Sequence, residues 1–313
     1  MLGRTADSLY WMVRYVERAE NTARLLDVGQ RMSLVSHDPK MIESTWHSAL
    51  EVTGTVGDYY DRHGVATEDE VISFLALDRE NPASIWSSIR AARENARALR
   101  GSITTEMWEC LNGTWLEVRN LAPERAVAQD NRVFFDWVKE RAHLFRGIAS
   151  GTILRDEAYH FIRLGWRLEQ AGNTARILDA KYHILLPEEQ EIGGAVDYYQ
   201  WGALLRSVNA FRAYHKVFSS EISPYHVAEL LIVRRDLPRS LHSCLAAICD
   251  MLEALRGGRS FESRRLAGEI HARVAYARMD SIFEQGLHEF LAESIDDGIA
   301  LGAVIENDFM MQA

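Results

Sequence analysis

The sequence predicts an all-α protein of about twelve helices, arranged as two pseudo-repeated bundles that pack as one unit. Three observations lead there. Apolar residues recur at three- and four-residue steps along nearly the whole chain, no run of five or more residues alternates cleanly as a half-buried strand would, and a long stretch of the first half returns in the second.

In chain order, the spacing predicts helices over 5–35, 40–62, 68–77, 82–100, 104–120, 130–149, 156–184, 195–219, 224–233, 238–256, 262–278 and 281–311. In the first, Met12, Tyr15, Ala19, Ala23 and Leu26 form the apolar stripe. The prolines fall at element boundaries: Pro39, Pro82, Pro123, Pro187, Pro224 and Pro238. Asn81-Pro82 reads as an N-cap followed by proline at the first helical position. Gly101 and Gly257-Gly258 read as helix stops. Short linkers favour antiparallel neighbours.

The repeat divides the chain into 1–152 and 153–313. Residues 17–27 reappear at 169–179, an offset of 152. Trp46, Leu50 and Tyr59 match Trp201, Leu205 and Tyr214 at 155, and Val71 to Gly101 matches Val227 to Gly257 at 156. An offset that grows slowly and never reverses is what a duplication with small loop insertions leaves. The matching is uneven. Eight of twelve residues are identical over 17–28 but only eleven of thirty-one over 71–101, so the first stretch has been held closer.

At 100° per residue, Glu17, Asn21 and Arg24 fall opposite the apolar stripe, with Asp27 beside Arg24. Glu169, Asn173, Arg176 and Asp179 fall likewise. A solvated face tolerates drift, because exposed pairs contribute only about 0.3–0.5 kcal/mol each. Retention points to burial against something polar. One reading is a structural network in which each segment satisfies the other's charges, since an unpaired buried charge costs several kcal/mol. Another is a cleft for a ligand or for a partner's polar segment, and a third is simple solvation after a recent duplication. Arg14, Arg18 and Glu20 become Trp166, Gln170 and Gly172, so the first segment is the more charged. A single site would centre on Arg14, Glu17, Arg18, Asn21 and Arg24. For Arg14 and Arg18 the structural alternative is pairing with acids one helical turn away.

Composition narrows the rest. The chain has 313 residues, a net charge of −10 and 26% charged residues, an ordinary globular make-up that argues against a nucleic-acid backbone as partner. Arg234, Arg235 and Arg239 read as a solvated helix end. Cys110, Cys244 and Cys249 form no CxxC and read as core residues of a reducing compartment. No apolar window is long enough to span a membrane and no leader pattern opens the chain, which together point to the cytoplasm. Eight tryptophans, with Tyr59-Tyr60 and Tyr198-Tyr199, read as packing or as the rim of an interface.

The opening MLGRTADSLYW from Met1 to Trp11, followed by YVERAEN from Tyr15 to Asn21, resembles the start of bacterial alpha-E domain proteins. That family is named for a helical domain with a Glu-Arg motif, which Glu17-Arg18 matches. The second segment, Arg155 through Gln170, resembles the family's internal repetition of it, with Gln170 where arginine is expected. Phe74 to Ser84 and Leu230 to Ser240 also resemble family motifs, so the likeness covers essentially the whole chain. It implies a gene neighbour or fusion partner: a circularly permuted ATP-grasp protein, often with a transglutaminase-like peptidase nearby. ATP-grasp proteins join a carboxylate to an amine through an acyl phosphate, so the implied setting is amide- or peptide-bond formation.

No phosphate-binding glycine loop, GxGxxG or G-x-S-x-G elbow occurs. Glu157-x-x-His160 matches half of a di-metal carboxylate motif, but the corresponding Thr5 to Ser8 has neither ligand. The pairs Glu43/His47 and Glu284/His288 are of a kind common in helical proteins. The sequence therefore identifies no catalytic residue, metal ligand or cofactor. The favoured reading is an accessory subunit of a circularly permuted ATP-grasp ligase, more a partner than a catalyst. The alternative is a stand-alone enzyme, or a small-molecule- or peptide-binding protein, with a polar cleft between the repeats in which Arg24 and Arg176 would take a carboxylate. Homo-oligomerisation remains compatible with either.

Overall fold

The computed structural model describes residues 1–35, 38–121, 131–184, 195–255 and 261–310. Among these residues there are fifteen helices and no strand. The first seven are α1 (Gly3–Val35), α2 (Pro39–Thr53), α3 (Val56–Tyr60), α4 (Glu68–Ala76), α5 (Ile85–Ala98), α6 (Thr105–Val118) and α7 (Asn131–Thr152). They are followed by α8 (Glu157–Ile184), α9 (Ala195–Ser207), α10 (Phe211–Val217), α11 (Pro224–Ile232), α12 (Leu241–Leu255), α13 (Glu262–Ala275), α14 (Met279–Gln285) and α15 (Leu287–Phe309).

The all-helical expectation holds, but the count of twelve does not. Three expected helices are each broken once, at the three described residues with positive φ: Gly54 (70°), Asn209 (59°) and Gly286 (109°). A left-handed residue cannot continue the i→i−4 ladder, and the apolar spacing runs on through each break, so periodicity does not reveal it. The first two breaks close identically. Thr55 N–H donates to Leu50 O (2.9 Å) and Ala210 N–H to Leu205 O (2.7 Å), each satisfying a carbonyl that the helix end would leave bare.

The helix starts follow short polar side chains. Ser84, Thr104 and Ser223 each accept a hydrogen bond from the backbone three residues on, at 3.1–3.3 Å. Asn81 is not the N-cap that its place before Pro82 suggests. It is buried in the turn, donates to Phe74 O (3.0 Å) and accepts from Ala83 N–H (2.9 Å), while Ser84 caps α5. Ser240 repeats the device ahead of α12, donating to Arg234 O (2.6 Å) and accepting from Ser243 N–H (3.0 Å). Gly101 lies just past the end of α5 and takes no left-handed conformation. The stop expected at Gly257-Gly258 lies outside the described residues.

Positions paired by the sequence repeat also hold similar places. Trp46 and Trp201 are both fully buried. Tyr59 and Tyr214 are buried and donate their hydroxyl protons to Val65 O (3.1 Å) and Glu221 O (2.9 Å). One apolar cluster, centred on Trp46, Phe74 and Phe135, is built within the first half, whereas the larger draws on both halves, from Leu9, Met12 and Phe145 to Ile248 and Leu301.

The long helices α1 and α8 lie in the middle and carry buried residues around their whole circumference. Gly165 sets their approach. A Cβ there would stand 2.5 Å from Tyr10 O and 2.8 Å from Val13 Cγ2, so only glycine lets α8 come this close to the α1 backbone. Gly165→Ala is therefore expected to destabilise the protein by roughly 1–3 kcal/mol. A urea midpoint unchanged from the parent would refute the close crossing.

Candidate functional site

Two charge centres flank the α1–α8 crossing, and the dipeptide Glu17-Arg18 reaches both. Successive helical residues point about 100° apart, so one faces each centre.

The first is built on Glu17 and Glu20, both completely buried. Arg146 of α7 reaches Glu17 Oε2 at 2.6 Å and also donates to Glu20. Arg239, on the link between α11 and α12, pairs with Glu17 Oε1 (2.9 Å) and Glu20 Oε1 (3.3 Å) and donates to Asn21 Oδ1 (3.1 Å). The Glu17 Oε1 contact is an ion pair without hydrogen-bond alignment. Arg24 donates to Glu20 Oε1 at 2.8 Å from one turn along. His143 Nε2 stands 3.2 Å from Glu20 Oε1 and 3.0 Å from Arg24 Nη2. It can donate to the carboxylate or accept from the guanidinium, but not both at once. Burial would raise the Glu20 pKa, but His143 and the three arginines overcome it and hold the carboxyl well below the usual range. Burial alone would lower the Arg146 pKa; Glu17 and Glu20 raise it. The link carrying Arg239 is itself fixed from α8: Thr174 donates to Arg239 O (2.9 Å) and Arg167 to Pro238 O (2.7 Å).

The second centre is Glu169 of α8, gripped from α1. Arg14 donates through Nε at 2.9 Å, and Arg18 through Nε at 2.9 Å and Nη2 at 3.3 Å. Arg14 also donates to Tyr10 Oη (2.9 Å) and lies over the Trp11 ring. Burial again opposes ionisation, yet Arg18 and Arg14 bring the Glu169 pKa down to about 2. Arg176 lies nearby with no ion pair or hydrogen bond among the described residues. Burial lowers its pKa, and the attraction of Glu169 is offset by Arg18 and Arg14. Asn21, Asn173 and Arg176 line a small cavity of about 40 Å³ with Arg18 and Glu169, and both asparagine amide nitrogens lack a partner among the described residues. The outer ends are tied separately. Asp27 bonds Arg31 and Lys139 (3.0 Å each), and Asp179 lies 2.6 Å from His288 Nδ1.

The structure thus brings Glu17, Asn21 and Arg24 into one centre, and Arg14, Arg18 and Glu169 into the other with Arg176 and Asn173 beside them. Asp27 and Asp179 are separate ties. Arg14 and Arg18 do not pair with acids on their own helix; they cross to α8. Sequence reasoning missed Arg146 and His143, which carry no signal beyond lying on a predicted helix. It misassigned Arg239, which is buried rather than solvated. Arg234 and Arg235 are the solvent-facing members of that triplet. The thiols offer no activated nucleophile, since burial raises the pKa of all three, Cys244 and Cys249 to about 11. Glu157 pairs with the Met1 amine and His160 turns to Met251 Sδ (3.3 Å), so this Glu-x-x-His does not converge. Among the described residues no three His, Cys, Asp or Glu side chains gather as a metal site, and no helix is long and apolar enough to cross a membrane.

The fold and site define an all-helical protein organised around buried carboxylates, each held by arginines from other elements. The chain belongs to the Alpha-E family, described as a predicted alpha-helical domain with a conserved ER motif, whose family model matches residues 1–310. It is 26% identical over 312 residues to the uncharacterized protein Mb2597 of Mycobacterium bovis and to MT2643 of Mycobacterium tuberculosis strain CDC 1551. The identity is 25% to Rv2567 of strain H37Rv. Each match covers 93% of this chain but 34% of the relative, so the chain spans about a third of the length of these curated relatives. No solved structure matches.

Two outcomes are expected. Glu17→Ala leaves Arg146 and Arg239 sharing Glu20 and should cost about 3 kcal/mol in denaturant titration; a loss below about 1 kcal/mol would contradict a tightly held centre. Glu169, lowered from 4.5 to about 2, adds stability that is full above its unfolded pKa and disappears as pH falls through the folded value. The stability gap between the parent and Glu169→Gln, on the order of 3 kcal/mol at neutral pH, should close between about pH 4.5 and 2. A gap that stays constant across that window would show that Glu169 is not held as described.

Proposed function

We propose that the chain is an accessory subunit of a circularly permuted ATP-grasp ligase in an amide- or peptide-bond-forming system. In this reading it works through the charged helix face between the repeats and supplies no nucleophile. The observation that carries it is the length relation: the relatives align with 93% of this chain yet are about three times as long, so the same helical unit is there joined to a larger remainder. Arginine-held carboxylates in place of an activated nucleophile support binding over catalysis. The two segments, 1–152 and 153–313, are in this view duplicated bundles that work as one body. A cytoplasmic setting and a transglutaminase-like peptidase as a further partner belong to the same proposal.

The test is tandem-tag purification from the source cells followed by native mass spectrometry and peptide identification. The expected result is a stoichiometric complex with an ATP-grasp protein, whose ATP turnover with a carboxylate and an amine rises at least tenfold when this chain is added. Recovery of the chain alone or only with its own copies, or an unchanged turnover, would overturn the proposal. A second reading, a stand-alone binding protein for small molecules, is favoured by the open cavity beside Arg146 and Arg239.

A further inference from the structure

A cavity of about 380 Å³ opens beside the Glu17–Glu20 centre. Its walls come from α7, α8, the Asn209 break between α9 and α10, and the link that carries Arg239. Among the described residues four arginines line it, Arg146, Arg163, Arg167 and Arg239, and no carboxylate does.

Two of these, Arg146 and Arg239, are neutralised in part by Glu17 and Glu20 behind the wall. The other two are not. Among the described residues Arg163 has only a long contact to Tyr159 Oη (3.4 Å) and that residue's ring. Arg167 donates to neutral oxygens, Gln170 Oε1 (3.0 Å) and Pro238 O (2.7 Å). Set against Glu17 and Glu20, the guanidinium groups of Arg24, Arg146, Arg163, Arg167 and Arg239 leave three positive charges in excess. They do so in a chain whose net charge is −10. Such a local surplus, walled by low-dielectric protein, attracts an anion.

Two wall residues also hold donors that the fold leaves unused. Arg146 Nε and Trp166 Nε1 are buried without a hydrogen-bond partner among the described residues, and Trp166 is only 5% exposed. Buried donors ordinarily find acceptors, and these two belong to residues of the cavity wall. Arginine forks match the paired oxygens of phosphate and carboxylate. The size is that of a small-molecule pocket rather than a bare-ion niche, and Trp166, Val208 and Leu237 give it an apolar side.

We propose that this cavity binds a small organic oxyanion. Its phosphate or carboxylate head is held by Arg163 and Arg167, and its body packs against Trp166. The proposal goes beyond the partner reading and does not rest on it, because it concerns the isolated chain.

The test is calorimetric titration of the full chain with phenyl phosphate, benzoate and chloride at matched ionic strength. Saturable binding of phenyl phosphate or benzoate, absent with chloride, is expected. Which of the two binds tells a phosphate ligand from a carboxylate ligand. Arg163→Gln, a side chain with little part in the fold, should weaken that binding about tenfold or more with an unchanged melting temperature. No saturable binding of either organic probe, or equal binding by parent and Arg163→Gln, would overturn the proposal. Co-purification with an ATP-grasp protein has no bearing on either result.

Discussion

The dehydrated carboxylate of Glu17 is the constraint around which the other elements are placed. It and Glu20 sit on the central helix with no access to water. An ion in such a place must find counter-charges or it will not be buried at all. The counter-charges come from Arg146 and Arg239, far along the chain. Meeting them requires α7 to lie along α1 and the α11–α12 link to fold back over it. Arg18, the next residue, imposes a second requirement by reaching Glu169 on α8. One dipeptide therefore pins its helix to elements from both halves of the chain. That gives a physical reason for a Glu-Arg pair to serve as a family signature.

Those demands can be met only if the helices approach closely and stop on time. Gly165 permits the approach, since any side chain there would strike the Tyr10 carbonyl. Gly54, Asn209 and Gly286 turn the chain where a continuous helix would run past its neighbours. Hydroxyls at Ser84 and Ser240 close the turns that precede α5 and α12. The second of these turns presents Arg239. The backbone devices and the charge network are therefore coupled, since a shifted link would withdraw Arg239 from Glu17.

The helical class and the polar face of α1 were legible because both are local patterns. Periodicity reports them at a range of a few residues, and the internal repeat singled out Glu17 and Glu169 by their retention. The partners of Glu17 were not legible, since nothing near Arg146 or Arg239 in sequence indicates an acid more than a hundred residues away. Arg239 was misread for a definite reason. It follows Arg234 and Arg235, which face solvent, and only the tertiary position of the turn separates it from them. The three helix breaks were hidden because one left-handed residue leaves the apolar spacing on both sides intact.

The differences between the two segments explain where the cavity lies. Arg14 and Arg18 on α1 grip Glu169, but the matching positions on α8 are Trp166 and Gln170, which cannot grip Glu17 in return. The link and α7 take over that task through Arg239 and Arg146. Around Glu169 neither substitute is needed. Ala83 occupies the position matching Arg239 and Gly302 the position matching Arg146, and neither carries a charge. One centre is thus closed by side chains of the crossing helix itself. The other is closed by arginines reaching in from the periphery, and the space left beside Trp166 and Gln170 is the open cavity. Arginines on both helices would seal both sides of the crossing, whereas Trp166 and Gln170 on α8 leave one side open.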